Sequence, residues 1–113
     1  MITVTVTIDE DGVMQSLSAR GHSSKGKAGE NIVCAAATVL MRTAARLLEK
    51  DADIVISGGA DDRGSLDFVV ETIGEGKSGL VTAVGEFLLQ GISDLQQEHP
   101  RECALKLVKR NRS

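Results

Sequence analysis

The sequence predicts an α+β domain in which two helices pack against a largely antiparallel sheet, in the order β-β-α-β-β-α-β. Several short stretches alternate apolar and polar residues, which is typical of strands with one buried face. Two longer stretches repeat apolar residues at three- and four-residue steps, as amphipathic helices do. The length of 113 residues suits one core between a sheet and helices. We therefore expect residues 1–113 to form a single two-layer domain.

The first two strands are predicted to form a hairpin. Ile2, Val4, Val6 and Ile8 alternate with threonines, the period of a half-buried strand. The residues at 9–12 read DEDG, which is turn chemistry. Residues 13–20 then alternate less regularly, and we interpret them as the returning strand.

A loop and a long helix should follow the hairpin. Residues 21–30 contain three glycines and two lysines without periodicity, so we expect an exposed loop. Asn31 is a favourable N-cap, and the apolar pattern predicts a helix from about residue 32 to residue 50. The helix is apolar around most of its girth, and its polar residues share one flank: Asn31, Cys34, Thr38, Arg42, Arg46 and Glu49.

The second half of the chain repeats the pattern of strands and a helix. Residues 53–58 and 66–72 are predicted strands joined by the turn-rich GADDRG, and residues 79–98 are a predicted helix that ends before Pro100. Gly85 and Gly91 would each weaken that helix by about 1 kcal/mol relative to Ala, so we expect close packing at both. Alternation from Cys103 to Lys109 predicts the last strand, with Cys103 in the core.

Composition excludes several classes of function. The chain has two Phe, no Trp and no Tyr, so bases have almost no aromatic platform on which to stack. The net charge of −3 gives no reason to expect nucleic-acid binding, although the tail from Lys106 is locally basic. No apolar run is long enough for a membrane span, and Met1 leads straight into a strand pattern, so we expect a cytoplasmic protein. In that compartment the two cysteines should be free thiols. Neither has metal-ligand spacing, and we expect no metal or cofactor.

Reactive chemistry concentrates between Gly21 and Leu40. A thiol acts as a nucleophile only when ionised. With Asn31 as the cap, Cys34 would be the third helical residue, where the positive end of the helix dipole stabilises an anion. His22 is the nearest candidate base, and glycines 26 and 29 would let the loop fold back over the helix start. Backbone N–H groups after Gly29 and at Cys34 could hold an oxyanion.

Two features of this stretch have alternative interpretations. Asn31 either orients the His22 imidazole, as in Cys-His-Asn sites, or serves only as the cap. Residues 21–27 match the start of a phosphate-binding loop, G-x-x-x-x-G-K, but Ala28 replaces the Ser or Thr that would bind magnesium. A weaker anion site at Lys25 and Lys27 stays open. His99 is expected at a helix end or in solvent.

These residues resemble a known family, the bacterial ribosomal-processing cysteine protease Prp. The resemblance rests on Gly21-His22, the glycine-containing loop, the run NIVCAAATVL from Asn31 and the spacing from His to Cys. It covers essentially the whole chain.

The resemblance implies a cysteine endopeptidase with a Cys-His pair, in which His22 is the general base and Cys34 the nucleophile. The family's substrate is the N-terminal extension of a large-subunit ribosomal protein, the L-twenty-seven protein. The resemblance also implies a homodimer and a mobile loop that gates the substrate, here carrying Gly21, Gly26 and Gly29. The expected partner is thus a ribosomal protein precursor, without membrane or direct nucleic-acid binding.

Three positions depart from the family pattern. Ser23, Asn31 and Thr38 stand where the family commonly has Ala, Asp and Ser. Thr38 keeps a hydroxyl one turn from Cys34, so its supporting role can persist. Asn31 has no negative charge, so that position offers His22 no carboxylate partner.

A second function from a different class follows from the lysines and the basic tail. Lys25, Lys27 and the residues after Lys106 would serve a non-enzymatic module that associates with the ribosome or RNA. That module predicts RNA binding that weakens steeply with salt, and a Cys34 no more reactive than Cys103.

Overall fold

The computed structural model describes residues 1–21, 28–61 and 65–111. The element order is the predicted one, and the bounds follow in a single list: β1 (Ile2–Ile8), β2 (Met14–Arg20), α1 (Ala28–Glu49), β3 (Ile54–Asp61), β4 (Ser65–Ile73), α2 (Ser78–Glu98) and β5 (Cys103–Lys109). The predicted α+β class is confirmed.

The strands form one five-stranded sheet in the order β3-β4-β2-β1-β5. Three of the four neighbouring pairs are antiparallel, and β1 pairs with β5 in parallel. The β1–β2 connection is the predicted turn, in which the Asp9 carboxylate accepts hydrogen bonds from the N–H groups of Asp11 and Val13, both at 2.9 Å. Gly12 follows with a positive φ of 84°. This Asx turn fixes the register of the hairpin.

Alternation along β1 corresponds directly to burial. Its four aliphatic residues all lie in the core between sheet and helices. The pattern breaks at the start of β2: strict alternation with the buried Leu17 and Ala19 would place Met14 on the other face, yet Met14 is fully buried. The register shifts between Thr7 and Ile8, so Met14 lies opposite Ile8. The shift leaves one more residue on β2 than on β1 at this point, as in a β-bulge, and Met14 therefore faces the core.

Helix α2 packs closely against α1 at Gly91 and against β2 at Gly85. A methyl group at Gly91 would lie 2.8 Å from Cδ1 of Leu40 on α1, and one at Gly85 would lie 3.2 Å from Cβ of Met14. The predicted close packing at both positions is therefore confirmed. No helix in the described ranges is long and apolar enough to cross a membrane.

Helix α1 begins about one turn earlier than the sequence predicts. It starts at Ala28, so residues 28–30 are helical and the predicted loop of residues 21–30 is shorter at that end. Asn31 therefore lies in the first turn and is not the N-cap. The apolar periodicity starts only at residue 32, which is why it missed a first turn made of small and polar residues.

Candidate active site

Gly21 follows the last residue of β2, and the fold requires a glycine at this position. Gly21 has a φ of 88°, a region that residues with a side chain rarely adopt. A Cβ at this position would also collide with the carbonyl oxygen of Met1. Gly21 is thus held against the start of β1, and the next residue in the chain is His22.

An ion pair ties the same strand end to β4. The Arg20 guanidinium donates two hydrogen bonds to the Asp67 carboxylate, at 2.6 and 2.8 Å. These bonds, with a further one from Ser18, lower the pKa of the Asp67 carboxyl below its ordinary value. Both side chains are substantially exposed, so solvent screens the pair. Its two-pronged geometry still restricts the orientation of Arg20.

The location of Cys34 differs from the predicted one in two respects. It is the seventh residue of α1, not the third, so it lies beyond the first turn where the dipole acts most strongly. A helical N–H at that depth donates to the carbonyl four residues earlier, so the predicted use of the Cys34 N–H as an oxyanion donor is wrong. The positive helix end therefore does not account for activation of this thiol.

Cys34 is also buried, whereas the sequence placed it on an accessible polar flank. Only 4% of its surface is exposed, and it belongs to the core cluster. Arg42 and Arg46, on the same predicted flank, are exposed. Each step of four residues turns about 40° around a helix, so Arg46 lies about 120° from Cys34. The polar residues therefore wind obliquely around α1, from the buried Cys34 to the exposed Arg42 and Arg46.

Thr38 contacts Cys34 through the backbone. Its hydroxyl donates a hydrogen bond of 2.7 Å to the Cys34 carbonyl oxygen. Such a bond to the residue one turn earlier competes with the helix ladder and favours a slight bend. Thr38 therefore fixes the backbone that carries the thiol.

The second thiol, Cys103, is in the core as predicted. It is fully buried at the start of β5, opposite Ile2 of β1. Burial, and secondarily the neighbouring charge of Cys34, raises the pKa of the Cys103 thiol. Because only the thiolate is a good nucleophile, Cys103 is expected to be unreactive. Both cysteines are free.

Several predicted site residues lie outside the described residues. These are His22, Gly26, Ser23, Lys25, Lys27 and the side chain of Asn31. Gly29 belongs to the first turn of α1 and not to the predicted loop, and its role in gating the substrate stays a prediction. His99 caps the C-terminus of α2, where its carbonyl accepts from the N–H groups of Glu102 and Cys103.

Sequence patterns missed the Arg20–Asp67 pair. Arg20 and Asp67 are 47 positions apart, and they meet because Ser18 of β2 lies opposite Asp67 of β4. Only the strand register brings them together. In the sequence, the pair could have been suspected only from the opposite charges of an arginine at the end of one predicted strand and an aspartate in another.

A wide, open depression lies away from these residues. It encloses about 630 Å³ between the β1–β2 turn and the start of α2, with Asp11 and Glu86 among its lining residues. The turn is at the opposite end of β2 from Gly21. This acidic depression is therefore not part of the candidate site.

Solved structures resemble this one over nearly the whole chain. The Streptococcus mutans protein SMU.848 has a TM-score of 0.84 at 28% identity, with 97% of this chain and 96% of that chain covered. The Staphylococcus aureus ribosomal processing protease Prp, crystallised with a substrate peptide, has a TM-score of 0.78 at 18% identity, covering 97% and 100%. A second S. aureus Prp structure, with a covalently linked product peptide, has a TM-score of 0.75 at 19% identity, with the same coverage. The S. aureus structures establish the shared fold.

A family model extends the comparison to the sequence. No curated protein matched the chain. The model described as cysteine protease Prp matches residues 1–104, which include Gly21, Cys34 and Cys103. The match covers most of the chain, and the fold and the position of Cys34 on α1 agree with it. The chain therefore belongs to the cysteine protease Prp family.

Proposed function

We propose that this protein is the endopeptidase that removes the N-terminal extension of the L-twenty-seven ribosomal protein during ribosome maturation. The observation that carries the proposal is the family match over residues 1–104. The complexes of S. aureus Prp with substrate and product peptides add support, since that protein shares the fold.

The proposed chemistry uses Cys34 and His22. His22 removes the thiol proton, and the Cys34 sulfur attacks the scissile carbonyl carbon. The protonated imidazole then donates its proton to the leaving amine as the peptide C–N bond breaks, which leaves a thioester on Cys34. Water, deprotonated by His22, attacks the thioester and restores the thiol.

Supporting roles follow from the contacts near the thiol. Thr38 holds the carbonyl of Cys34 and is proposed as a positioning residue. Asn31 lies in the first turn of α1, three residues before Cys34, and its proposed role is to orient His22. No role as a helix cap remains for it.

Access to Cys34 has to open for this chemistry. A reacting carbonyl carbon needs to come within roughly 3–3.5 Å of the sulfur. The thiol is 4% exposed, which does not admit a peptide. We therefore propose that the segment after Gly21, together with the first turn of α1, shifts when the substrate binds.

Peptide cleavage tests the proposal. The probe is a synthetic peptide that spans the extension of the L-twenty-seven precursor from the same organism and the first residues of the mature protein. Wild-type protein should cut it at one bond, located by mass spectrometry, and Cys34→Ala and His22→Ala should both be inactive. The Cys103→Ala variant is the matched control, because it removes the other buried thiol. Cleavage that persists in Cys34→Ala would exclude the mechanism.

A further inference from the structure

A groove between α1 and the edge strand β3 lies outside the residues proposed for the chemistry. It encloses about 190 Å³. Its floor is formed by apolar residues and its rim carries two arginines: Ala45, Ile56, Leu66 and Phe68 in the floor, Arg42 and Arg46 on the rim. We call it the α1–β3 groove. We propose that it binds an extended segment of the substrate peptide and takes a bulky apolar side chain in its floor, an inference that rests on the proposed function.

The groove begins a short distance along α1 from the nucleophile. Arg42 follows Cys34 by two helical turns, with Thr38 between them. Eight residues of α-helix span about 12 Å. An extended peptide rises about 3.3 Å per residue, so this distance corresponds to roughly three or four peptide residues. A peptide cleaved at Cys34 therefore has the right reach to place a nearby side chain in the groove.

The strands that line the groove also lie close to the end of β2, just before Gly21. Leu66 of the floor lies opposite Ala19 of β2 in the strand register. Asp67, its neighbour on β4, is bound by Arg20. Gly21 and His22 come next in the chain after Arg20. The groove thus ends beside the strand terminus that carries the proposed base.

The outer edge of β3 is open for backbone pairing. On the opposite edge of the sheet, the Gln96 side chain of α2 accepts the N–H of Leu105, at 2.6 Å. Across the described ranges, the N–H of Ile54 at the start of β3 donates to the Asp51 carbonyl at 3.1 Å, and no such bond reaches the outward edge of β3 from Val55 onwards. An unpaired edge of this kind can accept an extended peptide as an added strand.

The glycine at position 59 also favours an extended substrate peptide beside β3. The adjacent Gly58 is required by the fold, because its φ is 111° and a Cβ would collide with the Asp67 carbonyl oxygen. Gly59 has neither constraint: its φ is not positive, and a Cβ would meet nothing within 4 Å. Glycine weakens a strand, and it often marks a place where another backbone comes close. Gly59 is explained if that backbone belongs to the substrate.

Charge on the rim sets a second preference. In the part of the chain that the structure describes, the guanidinium groups of Arg42 and Arg46 take part in no ion pair or hydrogen bond. Glu49 is the one opposing carboxylate there that is not already bound, since Asp67 is held by Arg20. The rim therefore favours a peptide with an acidic residue beside the apolar one over a peptide with a basic residue.

Nuclear magnetic resonance of the 11.9 kDa chain tests the groove directly. ¹⁵N-labelled Cys34→Ala protein is titrated with the peptide described above. The amide signals of Gly58 and Gly59 should shift on binding. If the groove takes an apolar side chain, replacing one bulky apolar residue of the peptide near its cleavage site by Ala should weaken binding by about tenfold or more. No binding, or shifts confined to other parts of the sheet, would overturn the proposal.

Matched substitutions separate the groove from the chemistry. Ala45→Leu fills the floor, and Ala83→Leu places the same side chain on the exposed surface of α2. In otherwise wild-type protein, Ala45→Leu should raise KM about tenfold with little change in kcat, whereas Ala83→Leu should change neither. Should Ala45→Leu fail to fold in a thermal melt, Arg46→Glu gives the same comparison, with the loss largest for peptides that carry the acidic residue.

The failures of the two proposals are distinguishable. A peptide that shifts Gly58 and Gly59 but is not cut by wild-type protein contradicts the protease and leaves the groove as a peptide site. A peptide that is cut with the same KM by wild type and by a folded Ala45→Leu contradicts the groove and leaves the protease intact.

Discussion

Arg20 and Asp67 form an ion pair that ties the end of β2 to β4, immediately before Gly21. Arg20 is the last residue of β2, and its guanidinium is fixed to β4 by two hydrogen bonds. The folded state thereby lowers the pKa of Asp67, so it binds a proton less readily than the unfolded chain does. Stability from this contact is present above the ordinary carboxyl pKa of about 3.9 and is lost as the pH falls through the lower folded value.

Asp67→Asn should therefore reduce the free energy of unfolding slightly at pH 7 and by less at pH 2, because the wild-type carboxyl loses its charge as the pH falls through its lowered pKa. Urea denaturation at both pH values measures the difference. Glu98→Gln, an exposed carboxylate at the end of α2, is the control and should show no such pH-dependent difference. An Asp67→Asn effect of equal size at both pH values would mean that the side chain acts through packing and not through its charge.

At this scale, sequence patterns identified the reactive residue types but not their surroundings. Cys103 was correctly placed in the core because it belongs to an alternating strand. Cys34 was placed on the surface because residues four apart were treated as one face, whereas they drift by about 40° per step. The contact between Arg20 and Asp67 depends on strand register, which local patterns do not contain.

Helix α2 combines exposed and tightly packed glycines, and this contrast permits a direct comparison. Gly79 has open space around it, whereas a methyl group at Gly85 would crowd Met14. Gly79→Ala should increase the free energy of unfolding by about 0.4–1 kcal/mol, because Ala restricts the unfolded chain. Gly85→Ala should give a smaller gain or a loss, and Gly85→Leu should lose about 1–3 kcal/mol or more through overpacking.

Chemical denaturation of the three variants provides the measurement, with the Gly79 variant as the internal control for helix propensity. Equal gains at Gly79 and Gly85 would contradict the close packing of α2 on Met14.

The elements themselves were largely predictable, and the exception lies at the candidate site. All seven have the predicted type and order because each carries a clear period of two or of about 3.6. The start of α1 was wrong because its first turn, AGEN, contains no large apolar residue to mark the period. With the observed start, Cys34 is the seventh helical residue and not the third, so the helix dipole no longer explains its predicted reactivity.

Exposed apolar side chains on the helices bear on assembly of the whole molecule. Ile32 and Val39, seven residues apart on α1, are 67% and 57% exposed, and Phe87 on α2 is 56% exposed. Residues seven apart share a helix face, so Ile32 and Val39 form an exposed apolar stripe on α1 that a second copy could cover. We propose that the protein is a homodimer. Sedimentation equilibrium should give twice the chain mass of 11.9 kDa, and Val39→Glu should shift the equilibrium towards monomer.

A wild-type mass equal to one chain at micromolar concentration would contradict the dimer. Thr72→Glu, at an exposed position of β4, is the matched control for added charge and should leave the mass unchanged.

The arrangement of the strands could not be predicted from the sequence. Periodicity indicates that strands exist, but the order β3-β4-β2-β1-β5 and the parallel β1–β5 pair depend on contacts across the entire chain. That order makes β3 an edge strand and creates the α1–β3 groove. The candidate chemistry was visible in a local motif, whereas the candidate peptide-binding surface was not.

The central claim is that a nearly buried thiol, Cys34, is the nucleophile, while the neighbouring Cys103 is inert. The most direct measurement is a time course with iodoacetamide, in which peptide mapping quantifies each thiol and peptide cleavage is assayed in the same samples. Cys34 should be alkylated well before Cys103, and cleavage activity should fall in step with that modification. Equal labelling of both thiols, or full activity after Cys34 is modified, would contradict the account, and equal labelling is what a non-enzymatic binding module predicts.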